Sequence, residues 1–253
     1  MELYNLKKKI IKICTNAKEG HIPSALSILD IVWVLYDKVL KINPKNSKDP
    51  NRDYFILSKG HASLALYVVL AEKGFFNSNE LENFGKFNSI LGGHPSRNKV
   101  PGVEASTGSL GHGLPIAVGL ALGLKIKKKD NRVFAIVGDG ESNEGTIWES
   151  AFLASHHELS NLCCVIDHNH STDRALSVGD LVLKFKSFGW NALVIDGHNQ
   201  EEILKALSVR SKDKPLAIIA ETIKGKGFKM MENNPAWHHK FPNEEELKLL
   251  LEE

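Results

Sequence analysis

The chain has 253 residues, of which 42% are hydrophobic and 25% charged, so it is long enough to bury its own core and has the composition of a globular protein. Its 32 basic and 30 acidic residues leave a formal net charge of +2. This balance gives no reason to expect a nucleic acid or an acidic membrane surface as a partner. We expect residues 1–253 to form one domain.

Hydropathy and cysteine usage narrow the class further. No apolar run reaches the roughly 18 residues that a membrane-spanning helix needs. The N-terminal stretch also lacks the hydrophobic segment of a secretory signal. Cys163 and Cys164 are neighbours in an apolar run, and Cys14 stands apart, so the cysteines lack the spacing of a metal site. We expect them to pack in the core of a protein from the cytoplasm, a reducing compartment.

The first third of the chain predicts helices separated by one buried strand. Apolar residues recur at helical spacing near the N-terminus, and Pro23 with Ser24 suits the first turn of a second helix. The expected elements are a helix containing Leu6, Ile10, Ile13 and Cys14, a helix over 25–40, a strand over 53–58, a helix ending near Leu70 and a short helix over 80–87.

Polar segments rich in glycine and histidine interrupt these elements and continue beyond them. Glycine lets the backbone approach a ligand closely. A helix is expected to follow the last of these loops, over 114–125. The segments are Gly20-His21-Ile22-Pro23-Ser24, Lys59-Gly60-His61-Ala62, Leu91-Gly92-Gly93-His94-Pro95-Ser96 and Ser106-Thr107-Gly108-Ser109-Leu110-Gly111-His112-Gly113.

The centre of the chain predicts a βαβ unit. An apolar run over 133–137 ends at Gly138-Asp139-Gly140, a helical pattern covers 144–159, and a second apolar run over 162–166 ends at Asp167-His168-Asn169. Both turns follow the carboxyl ends of parallel strands, where ligands of open α/β sheets bind.

These two turns have the chemistry of a metal-diphosphate site. Asp139 and Asn169 can each supply a hard oxygen to an octahedral Mg²⁺, and the carbonyl of Ser171 would be a third ligand. Gly138 and Gly140 would admit a diphosphate close to the backbone, and the N-terminus of the following helix would favour its charge. The alternative is two ordinary turns that use glycine and aspartate as turn formers.

The last third of the chain continues the alternation of helices and strands. Asn199 is expected to cap one of the helices. The predicted elements are a helix over 181–188, a strand over 191–195, a helix ending at Leu207, a strand over 216–221, a loop at Lys224-Gly225-Lys226-Gly227 and a helix beginning near Asn243.

Several motifs in this order resemble one family. Gly138-Asp139-Gly140, then 28 residues, then Asn169 is similar to the thiamine diphosphate motif, and the segment from Asn143 to Glu149 resembles transketolases specifically. The four glycine- and histidine-containing segments above and the segment Met231-Glu232-Asn233-Asn234-Pro235-Ala236-Trp237-His238-His239 also resemble transketolase motifs, so the resemblance covers nearly the whole chain.

The resemblance implies an α/β fold, with a parallel sheet flanked by helices, that binds thiamine diphosphate with Mg²⁺, for which Ca²⁺ or Mn²⁺ can substitute. His21, His94 and His238 would contact the sugar and its reacting oxygens, and neutral imidazoles suit such hydrogen bonding and proton transfer. Glu144 and Glu149 would lie at an interface between protomers that links cofactor sites. The cofactor-binding residues implied are His61, Gly108, Ser109, Leu110, Gly138, Asp139, Gly140, Glu144, Asn169 and His238, and the metal ligands are Asp139, Asn169 and Ser171.

The resemblance also implies an incomplete active site. Transketolases continue into a pyrimidine-binding domain, whose glutamate activates the cofactor, and this sequence contains no counterpart of it. We therefore expect an N-terminal subunit that works with a C-terminal transketolase subunit in an α2β2 assembly. Together they would transfer a two-carbon ketol unit from a ketose to an aldose, with sugars or sugar phosphates as substrates.

Other interpretations remain at this point. The segment after Asn169 departs from the family pattern and is shorter, which would fit a specialised sugar or a trimmed subunit contact. The α subunit of a 2-oxo acid dehydrogenase shares the two cofactor turns, although the histidine motifs argue against it. A non-catalytic scaffold or regulator of the same fold is the third interpretation.

Overall fold

The computed structural model describes residues 2–173 and 175–252. Its centre is a parallel sheet of five strands, β1 (Tyr54–Leu57), β2 (Val133–Gly138), β3 (Leu162–His168), β4 (Asn191–Asp196) and β5 (Leu216–Glu221). The strand order in the sheet is β1-β2-β3-β5-β4. The strands are rich in aliphatic residues, and β2, β3 and β5 are buried on both faces, as parallel strands between layers of helices are.

Helices cover the two faces of the sheet. The bounds are α1 (Glu2–Ala17), α2 (Ile22–Val34), α3 (Ser63–Glu72), α4 (Gly113–Ile126), α5 (Gly145–His156), α6 (Leu181–Ser187), α7 (Gln200–Leu207) and α8 (Glu244–Glu252). Buried residues of α1, α2, α3 and α7 form one core, and those of α4, α5 and α6 form a second. Alternate residues of each strand face opposite cores, so that Cys163 joins the first and Cys164 the second. The predicted fold class is confirmed.

The cysteines and the first two helices follow the sequence pattern. All three cysteines are buried and free, as expected. The amphipathic α1 buries its predicted apolar face, and the proline at the start of α2 lies in the first turn. Every residue of α2 is buried, because this helix lies between α1, α3 and α7.

Three helix predictions were wrong in extent or type. The helix expected over 25–40 is α-helical only to Val34 and continues as a π-helical turn over Leu35–Val39. The short helix expected over 80–87 is a 3₁₀ turn over Ser78–Asn83, capped by the side chain of Asn77. The helix expected to reach residue 159 ends at His156, because Glu158 adopts a left-handed conformation with φ 46°.

The remaining predicted elements agree with the structure within one or two residues, and Asn199 caps α7 as expected. Within the described ranges, none of the helices has both the length and the apolar character needed to cross a membrane. The sheet brings the carboxyl ends of β2, β3 and β5 side by side, and the candidate site lies at this edge.

Candidate functional site

Two predicted metal ligands lie at the ends of neighbouring strands. Asp139 directly follows β2 and Asn169 directly follows β3, and the two strands pair up to Gly138 and Asp167. The backbone N–H of Ser171 donates to both side chains, at 3.2 Å to Asp139 Oδ2 and 3.1 Å to Asn169 Oδ1. The structure therefore gathers Asp139, Asn169 and Ser171 into one small loop cluster.

The environment of Asp139 suits a cation. Its side chain is buried, and burial followed by the nearby charge of Asp167 raises the pKa of the Asp139 carboxyl above its usual value. A divalent ion would relieve this electrostatic cost by favouring the ionised carboxylate. Carboxylate and amide oxygens are also the ligands that Mg²⁺ prefers. The residues present thus fit a hard divalent metal.

A buried ion pair between Lys59 and Asp167 contacts this cluster through Asn169. Lys59, at the end of β1, donates to Asp167 Oδ2, and the same oxygen accepts from Ser27 at 2.8 Å and from Asn169 Nδ2 at 2.9 Å. Burial alone would raise the pKa of Asp167, but Lys59 and the hydrogen bonds outweigh it and lower that pKa. Asp167 thus fixes the amide orientation of Asn169, so that Oδ1 accepts from the N–H of Ser171.

A cleft opens beside these residues. It has a volume of about 230 Å³ and its lining includes Asn169, Ser171, Lys224 and His238. Lys224 lies within hydrogen-bonding distance of His238, with 3.2 Å between Nζ and Nδ1. Burial, followed by the charge of Lys59, lowers the pKa of Lys224. A lysine lining the cleft would favour an anion such as a diphosphate.

The predicted histidines converge on the same region. The ring of His21 lies 5.1 Å from His61, 5.8 Å from His238 and 4.6 Å from His239, measured between centroids. Burial, followed by the neighbouring His239 and His238, lowers the pKa of His21 to about 4. Burial and then Lys59 lower the pKa of His61 to about 2. Both imidazoles are therefore neutral near pH 7 and can donate or accept hydrogen bonds.

His94 approaches the cluster from the glycine-rich loops. A Cβ built on Gly108 would lie 3.0 Å from His94 Cδ2, and one built on Gly60 would lie 2.9 Å from the backbone N of Gly108. The two glycines thus let the loop at 107–108 pass between β1 and His94. Ser109 is exposed, and the neighbouring Leu110 is half-buried.

The remaining predicted cofactor residues surround the turn after β2. The N–H of Gly138 donates to Glu141 at 3.1 Å, and that of Gly140 donates to Asp139 at 2.7 Å. Glu144 is exposed and lies against Gly111, apart from the cleft residues. Glu149 is exposed on α5 as well. Both glutamates are thus accessible at the surface of this chain.

The sequence analysis assigned no individual role to four functional candidates: Lys59, Asp167, Lys224 and His239. Each of them stands beside a residue that was singled out, or follows the end of a strand. This proximity to singled-out residues and strand ends was the sequence signal that could have identified them. Conversely, His198 has a structural role, because its ring contacts Asp30 at 3.1 Å and accepts from the N–H of Ile223 at 2.9 Å.

Comparison with known proteins places these motifs in context. Residues 6–252 match the family described as the transketolase, thiamine diphosphate binding domain. The chain is 39% identical to an apulose-4-phosphate transketolase subunit of Phocaeicola vulgatus, over 95% of this chain and 88% of that protein. It is 38% identical to the 6-deoxy-6-sulfo-D-fructose transketolase subunit SqwG of a Clostridium species, over 92% of this chain and 88% of that protein.

A solved structure shows a similarity to the same kind of protein. The transketolase of Campylobacter jejuni superimposes with a TM-score of 0.91 at 34% identity, covering 99% of this chain and 42% of that one. The chain therefore spans about two fifths of the length of the full transketolase that it matches, and most of the length of the relatives that are named as transketolase subunits.

Proposed function

We propose that this chain, which belongs to the transketolase family of thiamine diphosphate-binding domains, is the cofactor-binding subunit of a two-chain transketolase. The relatives that are themselves named as subunits of a transketolase align with it over most of their own length, which supports this division of labour. The partner would be a C-terminal transketolase subunit that carries the pyrimidine-binding domain and its glutamate, in an α2β2 assembly.

The observation that carries the proposal is the shared hydrogen bond of Ser171. One N–H holds oxygens of Asp139 and Asn169 at 3.2 Å and 3.1 Å, so the two side chains present a ready pair of hard ligands. We assign them to Mg²⁺, with the Ser171 carbonyl as a third ligand and Ca²⁺ or Mn²⁺ as substitutes. Lys224, which lines the cleft, adds positive charge for a diphosphate.

Thiamine diphosphate, when bound, supplies the carbanion chemistry of two-carbon transfer. The chain binds and orients it through the metal ligands and through the loop at 108–110, which lies beside His94. His61, the most strongly perturbed imidazole of the cluster, would stay neutral beside the diphosphate and act as a hydrogen-bond partner.

The sugar is handled by the histidine cluster. His21 remains neutral and can accept a hydrogen bond from one sugar hydroxyl or donate one to another oxygen. We assign to His94 and His238 the stabilisation of charge that develops on the reacting oxygens and the movement of protons there. The reaction is transfer of a ketol unit from a ketose donor to an aldose acceptor.

The names of two relatives and the loop after Asn169 support a proposal for the substrate class. Two relatives are named for unusual ketoses, one phosphorylated and one sulfonated. This chain has its own polar sequence at 170–173, next to the cleft. We propose a specialised anionic ketose as donor, and a cytoplasmic location, with which the three free buried cysteines agree.

Reconstitution tests the proposal. Thiamine diphosphate with Mg²⁺ is titrated by calorimetry into the chain, into the candidate C-terminal partner and into their mixture. The expected result is tight binding in the mixture alone, followed by two-carbon transfer in a screen of ketose phosphates and sulfonates. Turnover by the chain alone would refute the two-chain assignment.

Two further outcomes would change the function. Decarboxylation of pyruvate by the mixture would identify a 2-oxo acid dehydrogenase. Failure to bind cofactor in a complex of the two chains that is shown to be assembled by light scattering would favour a scaffold. The control is a mixture containing Asp139→Asn, which should assemble normally and bind thiamine diphosphate weakly.

A further inference from the structure

A second group of metal-binding side chains lies next to the cofactor loop. His168 Nδ1 lies 2.7 Å from Glu221 Oε1, and His170 Nε2 lies 2.9 Å from Glu221 Oε2. One ligand atom from each of the three residues lies within 4.8 Å of the others, and the two imidazole rings are 4.0 Å apart between centroids. Two nitrogens and a carboxylate thus point at one another.

The sheet fixes two of these three residues. His168 ends β3 and Glu221 ends β5, and they are direct partners in the parallel register of the two strands. The N–H of Thr222 donates to the carbonyl of His168 at 3.1 Å, which continues the pairing past the strand ends. Because both residues are held by the hydrogen bonds of paired strands, the sheet sets the spacing between these two side chains.

The loop and a further carboxylate orient the third residue, His170. His170 adopts a left-handed backbone conformation with φ 59°, which turns its side chain back toward the strand ends. Its Nδ1 lies 2.8 Å from Asp173 Oδ2, which leaves Nε2 directed at Glu221. A carboxylate on the far nitrogen is the arrangement that orients histidines bound to zinc and raises their basicity.

We propose that His168, His170 and Glu221 form a binding site for a divalent transition metal of the zinc class, with Asp173 as the residue that orients His170. Ligands of one tetrahedral Zn²⁺ lie about 3.3 Å apart, given metal–ligand bonds of about 2.0–2.1 Å. The present hydrogen bonds of 2.7 Å and 2.9 Å would widen by about half an ångström to admit the ion.

The donor set separates this site from the one at Asp139. Two imidazole nitrogens select zinc, nickel or copper over magnesium, which prefers oxygen. The side chains of His168, His170 and Glu221 are 13%, 51% and 44% exposed, so an ion can enter from solvent and keep a water as its fourth ligand. His168 and His170 flank Asn169, so this ion would hold the cofactor loop against β5.

The first test is titration of Zn²⁺ into the chain with Mg²⁺ in excess and no thiamine diphosphate, so that failure here is independent of the proposed function. Wild type is expected to bind one equivalent and to melt at a higher temperature with Zn²⁺. Co²⁺ in place of Zn²⁺ should give the visible absorption of a low-coordinate nitrogen and oxygen site. The absence of saturable binding would overturn the proposal.

Variants locate the site. His168→Asn, His170→Asn and Glu221→Gln should each weaken Zn²⁺ binding by at least about a hundredfold, and Asp173→Asn by about tenfold. Far-UV circular dichroism and metal-free melting establish that each variant folds. If Zn²⁺ affinity were unchanged in folded His168→Asn and His170→Asn, the proposal would be wrong.

Two control variants sharpen the result. His156→Asn combined with His157→Asn removes another adjacent pair of histidines, whose rings are 5.0 Å apart at the end of α5. Asp139→Asn removes the proposed magnesium ligand. Both should bind Zn²⁺ like wild type. Loss of Zn²⁺ binding in Asp139→Asn, with His170→Asn unaffected, would assign the ion to the other site and refute this one.

Discussion

Lys59 and Asp167 form an ion pair in which the two side chains are only 3% and 0% exposed. Lys59 follows β1 and Asp167 lies at the end of β3, so β2 separates them in the sheet. The pair connects the segment Lys59-Gly60-His61-Ala62 to the loop that holds Asn169, because Asp167 also accepts from the amide of Asn169.

Removing Lys59 should destabilise the chain strongly. Lys59→Met leaves the buried carboxylate of Asp167 without its counter-charge, and we expect the free energy of unfolding to fall by about 3–5 kcal/mol. Urea denaturation measures it. The matched control is Lys73→Met, which breaks the more exposed pair with Asp37 and should cost about 1 kcal/mol or less.

A double variant tests the cause. Adding Asp167→Asn to Lys59→Met removes the unpaired charge and should recover part of the lost stability. If the double variant were no more stable than Lys59→Met, an unpaired charge would not be the reason for the loss.

Asp139→Asn should weaken metal-dependent binding of thiamine diphosphate. The substitution keeps the side-chain volume but removes the charge proposed to hold the divalent ion, so we expect affinity in the assembled complex to fall by at least about tenfold. Calorimetry at several Mg²⁺ concentrations measures this change. Asp130→Asn, at the exposed opposite end of β2, is the control. Equal affinities for the two variants would remove Asp139 from the metal site.

The histidine cluster should make stability depend on pH. The pKa of His21 is about 4 in the folded chain against 6.5 for the ordinary group. Between these values the unfolded chain binds a proton that the folded chain does not, so acidification below 6.5 lowers the free energy of unfolding. Above 6.5 this contribution to stability is fully present.

His21→Asn should reduce that dependence. Each histidine contributes a slope of up to about 1.4 kcal/mol per pH unit in this window, so the variant should show a shallower decline on acidification. Denaturant unfolding across the window measures it, with the exposed His156→Asn as control. An identical slope in wild type and His21→Asn would show that His21 does not have the lowered pKa.

Gly108→Ala should lower turnover through His94. The added methyl carbon would lie 3.0 Å from His94 Cδ2, so the ring must move by a few tenths of an ångström. We expect turnover of the reconstituted enzyme to fall by about tenfold or more, since small misplacements of reacting groups are costly. Gly93→Ala, whose Cβ would meet no atom within 4 Å in the described structure, is the control.

A double-variant cycle isolates the route. His94→Ala should lower turnover with cofactor affinity nearly retained, and adding Gly108→Ala to it should cost little more, because the two residues act through one contact. Fully additive losses would mean that Gly108 acts on the cofactor rather than through His94.

Local pattern explains most of the elements. Consecutive residues form the apolar runs of β2 and β3 and the turns that follow them. The sequence alone therefore predicts a parallel βαβ unit and the positions of Asp139 and Asn169. The 3₁₀ turn at Ser78–Asn83 was missed because side-chain capping and a left-handed Gly85 compete with helix formation there.

Other relationships depend on distant parts of the chain. The sequence assigned no role to His239, yet its backbone would lie 2.7 Å from a Cβ at Gly20, and its ring contacts His21. No local sequence pattern predicts that this C-terminal segment packs on the loop before α2. The contact exists because Gly20 leaves room for another backbone.

The sequence by itself determined the fold class, the turns after β2 and β3 and the family, because short motifs and apolar periodicity encode strands and turns locally. Only the tertiary structure decided the strand order, in which β5 lies between β3 and β4. That order places Glu221 beside His168 and lets Lys59 reach Asp167. Strand order results from the packing of whole helices and strands over long separations, and periodicity in consecutive residues does not contain it.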